Sequence, residues 1–335
     1  MKAIAIIAVL VLLGACRRET VDATDEGSPL FALELPAGFP MPDVPAENPL
    51  TEASVQLGKA LFFEERLSRT GTLSCAGCHI DAHAFSDTLA KSIGVNGLPG
   101  MRNAPSLANV AYHNAFFRDG GVPTLERQVI APVHDDLEMD HDLTLVAADL
   151  RDVEPYATLS VRAYGRVLDP FVITRSIANY ERTLISGWSR YDHYLQGDAT
   201  AMSEAEVRGL QLFNSAALNC KACHSGFDLS DHDFHNVGQY LAYADSGRAR
   251  ITTLPQDKGK FKTPTLRNIA RTGPYMHDGS MSTLEQVIDH FASGGLPHAN
   301  RDPEMQSFVL SVQERQDLIA FLNALTDERS LDQVP

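Results

Sequence analysis

Through most of this chain apolar residues recur at helical spacing rather than alternating. After Ser311, the residues Leu318, Ile319, Leu322 and Leu325 fall on one helical face. Ile173, Ile177, Tyr180 and Leu184 do the same within a helix predicted over 171–184. Ser203-x-x-Glu206 and Ser311-x-x-Glu314 read as capping boxes. In such a box the hydroxyl accepts from the N–H three residues on, and the glutamate accepts from the cap's own N–H. No stretch alternates convincingly at period two, so the expected fold is mainly α. Two regions depart from the helical pattern. Ala3 to Ala15 is a run of thirteen apolar residues behind Lys2, too short to span a bilayer and suited to the core of a signal peptide. Residues 17–48 are charged and then proline-rich, which predicts a tether followed by an extended wrap.

An internal repeat organises the remainder. Gly58-Lys-Ala-Leu-Phe62 returns as Gly209-Leu-Gln-Leu-Phe213, and Pro105-Ser-Leu-Ala-Asn109 as Pro264-Thr-Leu-Arg-Asn268. Asp119-Gly-Gly-Val-Pro-Thr-Leu-Glu126 returns as Asp278-Gly-Ser-Met-Ser-Thr-Leu-Glu285, again 159 residues later. The chain is therefore a duplicated unit. The expected division is a signal peptide over 1–15, a tether and wrap over 16–48, and two domains over 49–190 and 191–335. Gly187, Gly197 and Asp198 break the helical pattern at the junction.

Each half carries one Cys-x-x-Cys-His: Cys75, Cys78 and His79, then Cys220, Cys223 and His224. This is the attachment sequence of a c-type haem, in which two thiols add to the vinyl groups and the imidazole ligates iron. A zinc site would give the two histidines no role at identical offsets, and a redox dithiol belongs in a βαβ setting absent here. The fifth cysteine, Cys16, follows Leu12-Leu13-Gly14-Ala15 and resembles a lipidation site, the alternative being a plain cleaved signal. Either reading predicts export to the periplasm, with a lipid anchor through Cys16 in the first. The balance of 28 basic against 43 acidic residues, a formal charge of −15, argues against nucleic acid and suits a basic partner protein.

Tandem haem motifs with these repeats resemble the bacterial di-haem cytochrome c peroxidase and MauG family, over roughly residues 48–328. The resemblance implies two covalent c-type haems. Peroxide reacts at the first, and the second stores or relays electrons. It implies reduction of hydrogen peroxide with electrons from a small donor protein, a cytochrome c or cupredoxin. The alternatives are MauG-like oxidation of a partner protein and a non-catalytic electron carrier. It also implies Glu138 as the acid–base group and Gln128 as the distal amide. A calcium ion is implied between the domains, held by the side chain of Asn103 and the main-chain carbonyls of Thr272 and Pro274. Gln128 and Pro132 lie at i and i+4 after the cap Thr124, on one helical face.

Three departures from the family pattern matter. Val95 stands where many members place a histidine that closes the first haem, which predicts an open site. Arg118 stands where many place a tryptophan between the haems, and Trp188, at the junction, is expected to be packing. Phe291 replaces the methionine or tyrosine that ligates the second haem. That leaves either no protein ligand there or His290, with Met276, His277, Met281 and His298 as more distant candidates. The other histidines are expected to be background.

Overall fold

The computed structural model describes residues 27–334. Cys16 and the apolar run before it lie outside the described residues. In chain order the helices are α1 (Glu52–Phe62), α2 (Leu125–Gln128), α3 (Ile130–His134), α4 (Leu143–Leu150), α5 (Tyr156–Tyr164) and α6 (Pro170–Glu181). Then come α7 (Arg190–Leu195), α8 (Glu204–Phe213), α9 (Ala249–Thr252), α10 (Leu284–Ala292) and α11 (Val312–Ala324). The sheet among the described residues is one antiparallel pair, β1 (Phe234–His235) with β2 (Phe261–Lys262). The fold is mainly α, as the periodicity predicts. Both expected capping boxes form, at Ser203 and Ser311.

The duplication is visible in the packing. Helix α1 crosses α6 at Gly58, where a Cβ would lie 1.9 Å from Ser176 O; α8 crosses α11 at Gly209, where it would lie 2.0 Å from Asp317 O. Only glycine permits that approach, so each repeat glycine marks a helix crossing. Asn109 and Asn268 both take left-handed φ, 61° and 59°. Their N–H groups donate to Leu184 O and Leu325 O, the carbonyls just beyond α6 and α11. The PxLxN repeat thus encodes a turn that ties a haem loop to the end of the last helix of its half.

Two apolar cores result. One draws on residues 50–184, with Ile173, Ile177, Tyr180 and Leu184 all buried; the other runs from Met202 to Leu325. In the proline-rich stretch Phe31, Leu33 and Val44 pack on the first core, while Phe39 stacks edge-on against Phe227 of the second half. The end of the chain also returns, so that Leu331 and Val334 pack in the first core although they follow the second half. Trp188 packs beneath Arg329, its ring 3.8 Å from the guanidinium carbon.

Candidate active site

One cavity of about 540 Å³ opens between the halves and is lined by both CxxCH motifs. Each motif begins as a single 3-10 turn, Cys75–Gly77 and Cys220–Ala222, which brings its two cysteines to the same wall. All four thiols are unpaired. His79 Nδ1–H donates to Phe85 O at 2.8 Å, and His224 Nδ1–H to Leu229 O at 3.0 Å. Because a carbonyl can only accept, each bond fixes the tautomer and leaves an Nε2 lone pair for a metal. Burial holds both imidazoles below the usual histidine pKa, which keeps that lone pair free near neutrality. Leu73, Leu107 and Val133 line the first end of the cavity, and Leu218, Leu284 and Ile288 the second. Free thiol pairs, an imidazole with one committed nitrogen and an apolar slot are what a covalent c-type haem requires, and the residues fit it twice.

The residues expected opposite His79 share this cavity. Thr124 caps α2 through the Arg127 N–H, and α3 continues the helical run one residue after α2 ends. Gln128 and Pro132 both line the cavity, as their spacing predicts. Glu138 lines it too, from the loop after α3. That loop is held from behind: Val95 N–H donates to Glu138 O at 2.8 Å, and Gly94 approaches so closely that a Cβ would sit 2.1 Å from Leu137 O. The Glu138 side chain is exposed where it opens onto the cavity. Protein surrounds its other sides, and that burial, with the Asp135 charge second, pushes its pKa up to about 7. Val95 does not line the cavity; its role is to fix the Glu138 loop through the main chain.

At the second end, Val287 and Phe291 of α10 line the cavity, but His290 does not. His290 Nε2 lies 2.9 Å from Val237 O and is turned away, which corrects its candidacy as the ligand nearest along the helix. Of the loop candidates, Met276 and His277 line the cavity, whereas Met281 and His298 do not. His277 is stacked on Phe261 at 3.8 Å between centroids, with Nδ1 3.0 Å from Gln239 Oε1.

The residues implied for calcium share this cavity. Asn103, Thr272 and Pro274 line the cavity. Both oxygens of Asn103, however, already accept from Arg118, at 2.5 and 2.9 Å. A guanidinium therefore meets Asn103 at the position implied for the metal.

Two further titratable groups, Glu181 and His235, stand on the cavity. Glu181, on α6, lines the cavity, and burial pushes its pKa up to about 8. His235 sits between two carboxylates, Nε2 2.9 Å from Asp231 Oδ2 and Nδ1 2.6 Å from Asp302 Oδ2. A carboxylate within an apolar helical run was the available signal for Glu181. His235, a loop histidine by sequence, gave none.

Fold and site together define a tandem c-type cytochrome with one haem site in each of two duplicated halves. The comparisons make this specific. The model of the di-haem cytochrome c peroxidase family matches residues 52–200, and that of cytochrome c matches residues 206–326. The methylamine utilization protein MauG of Methylorubrum extorquens is 38% identical over 320 residues, covering 93% of this chain and 90% of that protein. The cytochrome-c peroxidase IdrP1 of Denitromonas iodatirespirans is 34% identical over 323 residues, 86% of this chain and 85% of that one. A solved MauG-like protein associated with microbial copper homeostasis superposes with a TM-score of 0.86 at 36% identity, covering 90% of this chain and 97% of that one. The chain belongs to the di-haem cytochrome c peroxidase and MauG family of oxidoreductases, which use hydrogen peroxide.

Proposed function

We propose that this protein uses hydrogen peroxide at the His79 end of the cavity to oxidise a partner protein, in the manner of MauG. The observation that carries this reading is the likeness to MauG along nearly the whole chain, with Glu138 and Gln128 both lining the cavity that His79 lines. A second reading, peroxide disposal with a small donor protein, is favoured by the apolar Val287–Phe291 face. That face supplies no tyrosinate with which to stabilise a stored oxidising equivalent.

The peroxide step is common to both. When bound, the His79-ligated haem supplies the electrons for O–O cleavage. The protein's task is the proton. In our reading Glu138, as carboxylate, takes the proton from one peroxide oxygen and returns it to the other, which departs as water. The Gln128 amide donates to the oxygen that gathers charge. A base with a pKa near the working pH is matched to that exchange, and burial sets it there. The working place we propose is the periplasm, with Cys16 as a lipid anchor. Among the described residues no helix is long and apolar enough to cross a membrane.

Stopped-flow mixing of the fully oxidised holoprotein with one equivalent of peroxide separates the two readings. A MauG-like oxidase should react without prior reduction, keep its oxidising equivalents in the absence of a partner, and turn over poorly with reduced cytochrome c or cupredoxin. Turnover with such a donor in the usual enzymatic range, about 1–10³ per second, would establish the donor-dependent peroxidase instead.

The pH profile follows from the same group. Glu138 acts first as a base, so only its ionised form is competent. The rate of peroxide reaction should rise with pH through about 7 and level off above it. In Glu138→Gln that inflection should vanish. A flat wild-type profile between pH 5 and 9 would take Glu138 out of the proton path.

A further inference from the structure

The buried contacts of Arg118 bear on what holds the two halves together. Asn103, the residue implied as a side-chain ligand for calcium, has every polar group committed. Its N–H donates to His277 O of the second half at 2.9 Å, and its Nδ2 donates to Leu89 O at 3.2 Å. Its two oxygens accept from one guanidinium: Arg118 Nη2 donates to Oδ1 at 2.5 Å, and Nε to the main-chain O at 2.9 Å. Asn103 is 3% exposed, so water does not compete for either bond.

The surrounding charges favour that guanidinium over a metal ion. Calcium takes six to eight hard oxygens and binds most firmly where carboxylates supply some of them. Here the nearby carboxylates are already paired. Asp119 takes Arg102 at 2.8 Å and Arg250 at 2.9 Å, and Asp245 takes Arg102 at 2.6 Å. Asp278 accepts from Tyr240 at 2.6 Å and from Gln239 at 3.0 Å. A divalent ion on Asn103 Oδ1 would share that oxygen with Arg118 and stand against two guanidinium groups.

We propose that Arg118 takes the place of calcium in this chain, so that the junction cation is a side chain and the two halves dock without a metal ion. Arg118 suits the task at both ends. Its main-chain O accepts from Lys262 N–H of the second half at 2.7 Å. Its side chain grips Asn103, which itself bonds to His277 of the second half. One residue thus closes a loop of contacts across the junction. A lysine there would offer a point charge and could not span two oxygens with a rigid fork.

The test uses the di-haem holoprotein. Calcium is measured by elemental analysis against haem iron, and melting temperature and resting spectrum are recorded with EGTA and with added Ca²⁺. The wild type should hold no stoichiometric calcium and respond to neither treatment. Arg118→Ala should melt lower and regain part of the loss with Ca²⁺ but not with Mg²⁺, whose smaller octahedral shell suits the site less well. Arg118→Lys should fall between the two and covers the case in which the alanine variant does not fold. One calcium per chain in the wild type, with a spectrum or melting temperature altered by EGTA, would overturn the proposal. So would an Arg118→Ala protein as stable as wild type and indifferent to calcium.

Discussion

Glu138→Gln is expected to slow the reaction with peroxide by about 10²–10⁴-fold, the usual loss when a positioned acid–base group is removed. The substitution keeps the side chain's size and removes the basic carboxylate oxygen, leaving an amide that neither takes up nor returns the proton. Glu138 reaches the cavity from a loop held through its own main-chain carbonyl by Val95 N–H, so its position does not depend on the carboxylate. Haem content and the resting spectrum should therefore match wild type while the rate collapses. Gln128→Leu should cost about 10²–10³-fold, the usual loss of one charge-stabilising donor, because the amide stabilises charge without carrying a proton. The measurement is the second-order rate of spectral change on mixing with peroxide. A Glu138→Gln rate within a few-fold of wild type would mean that another cavity group moves the proton. Glu181, held protonated near neutral pH by burial, would be the next to replace.

Much of this arrangement was legible in the sequence because it is local or repeated. The haem motifs fix their chemistry within five residues, and one 3-10 turn per motif is enough to realise them. Gly58 and Gly209 stand out in the sequence only as a repeat, and the fold supplies the reason: a residue without a Cβ can stand that close to a carbonyl of the partner helix. Gln128 and Pro132 were placed on a common face by helical spacing alone, and both reach the cavity.

Groups whose surroundings are assembled from distant segments were not legible. Arg118 reads as the loss of a tryptophan. Only the fold shows its guanidinium on Asn103, fifteen residues away in sequence. His113 and His232 read as loop histidines, yet the junction brings them together at 4.8 Å between ring centroids, beside the buried Asp228. His290 sits one helical step from a cavity-facing position, and a single contact with Val237 O decides that it turns away. Periodicity gives the face of a helix but not the acceptor at its edge.

The second haem site carries the other large expected effect. The 159-residue repeat sets Val287 against Gln128 and Phe291 against Pro132, and the fold puts all four on the cavity wall. Neither Val287 nor Phe291 can ligate iron, and His290 is committed elsewhere, so α10 offers no sixth ligand. In wild type the second haem should then be high-spin, as should the first, and the resting EPR spectrum should show two high-spin ferric centres. Phe291→Met should convert one of them completely to a low-spin, six-coordinate form. A thioether on a flexible, unbranched chain fits within the volume of a phenyl ring and can adjust its reach. Phe291→Leu, which fills similar space without a donor atom, should leave the spectrum unchanged. The two variants together separate ligation from repacking. If wild type already shows one low-spin haem, the ligand comes from the 276–277 loop, where Met276 and His277 both line the cavity. Met276→Leu should then abolish the low-spin signal. If it does not, His277 is the ligand and must leave its stack on Phe261 to bind.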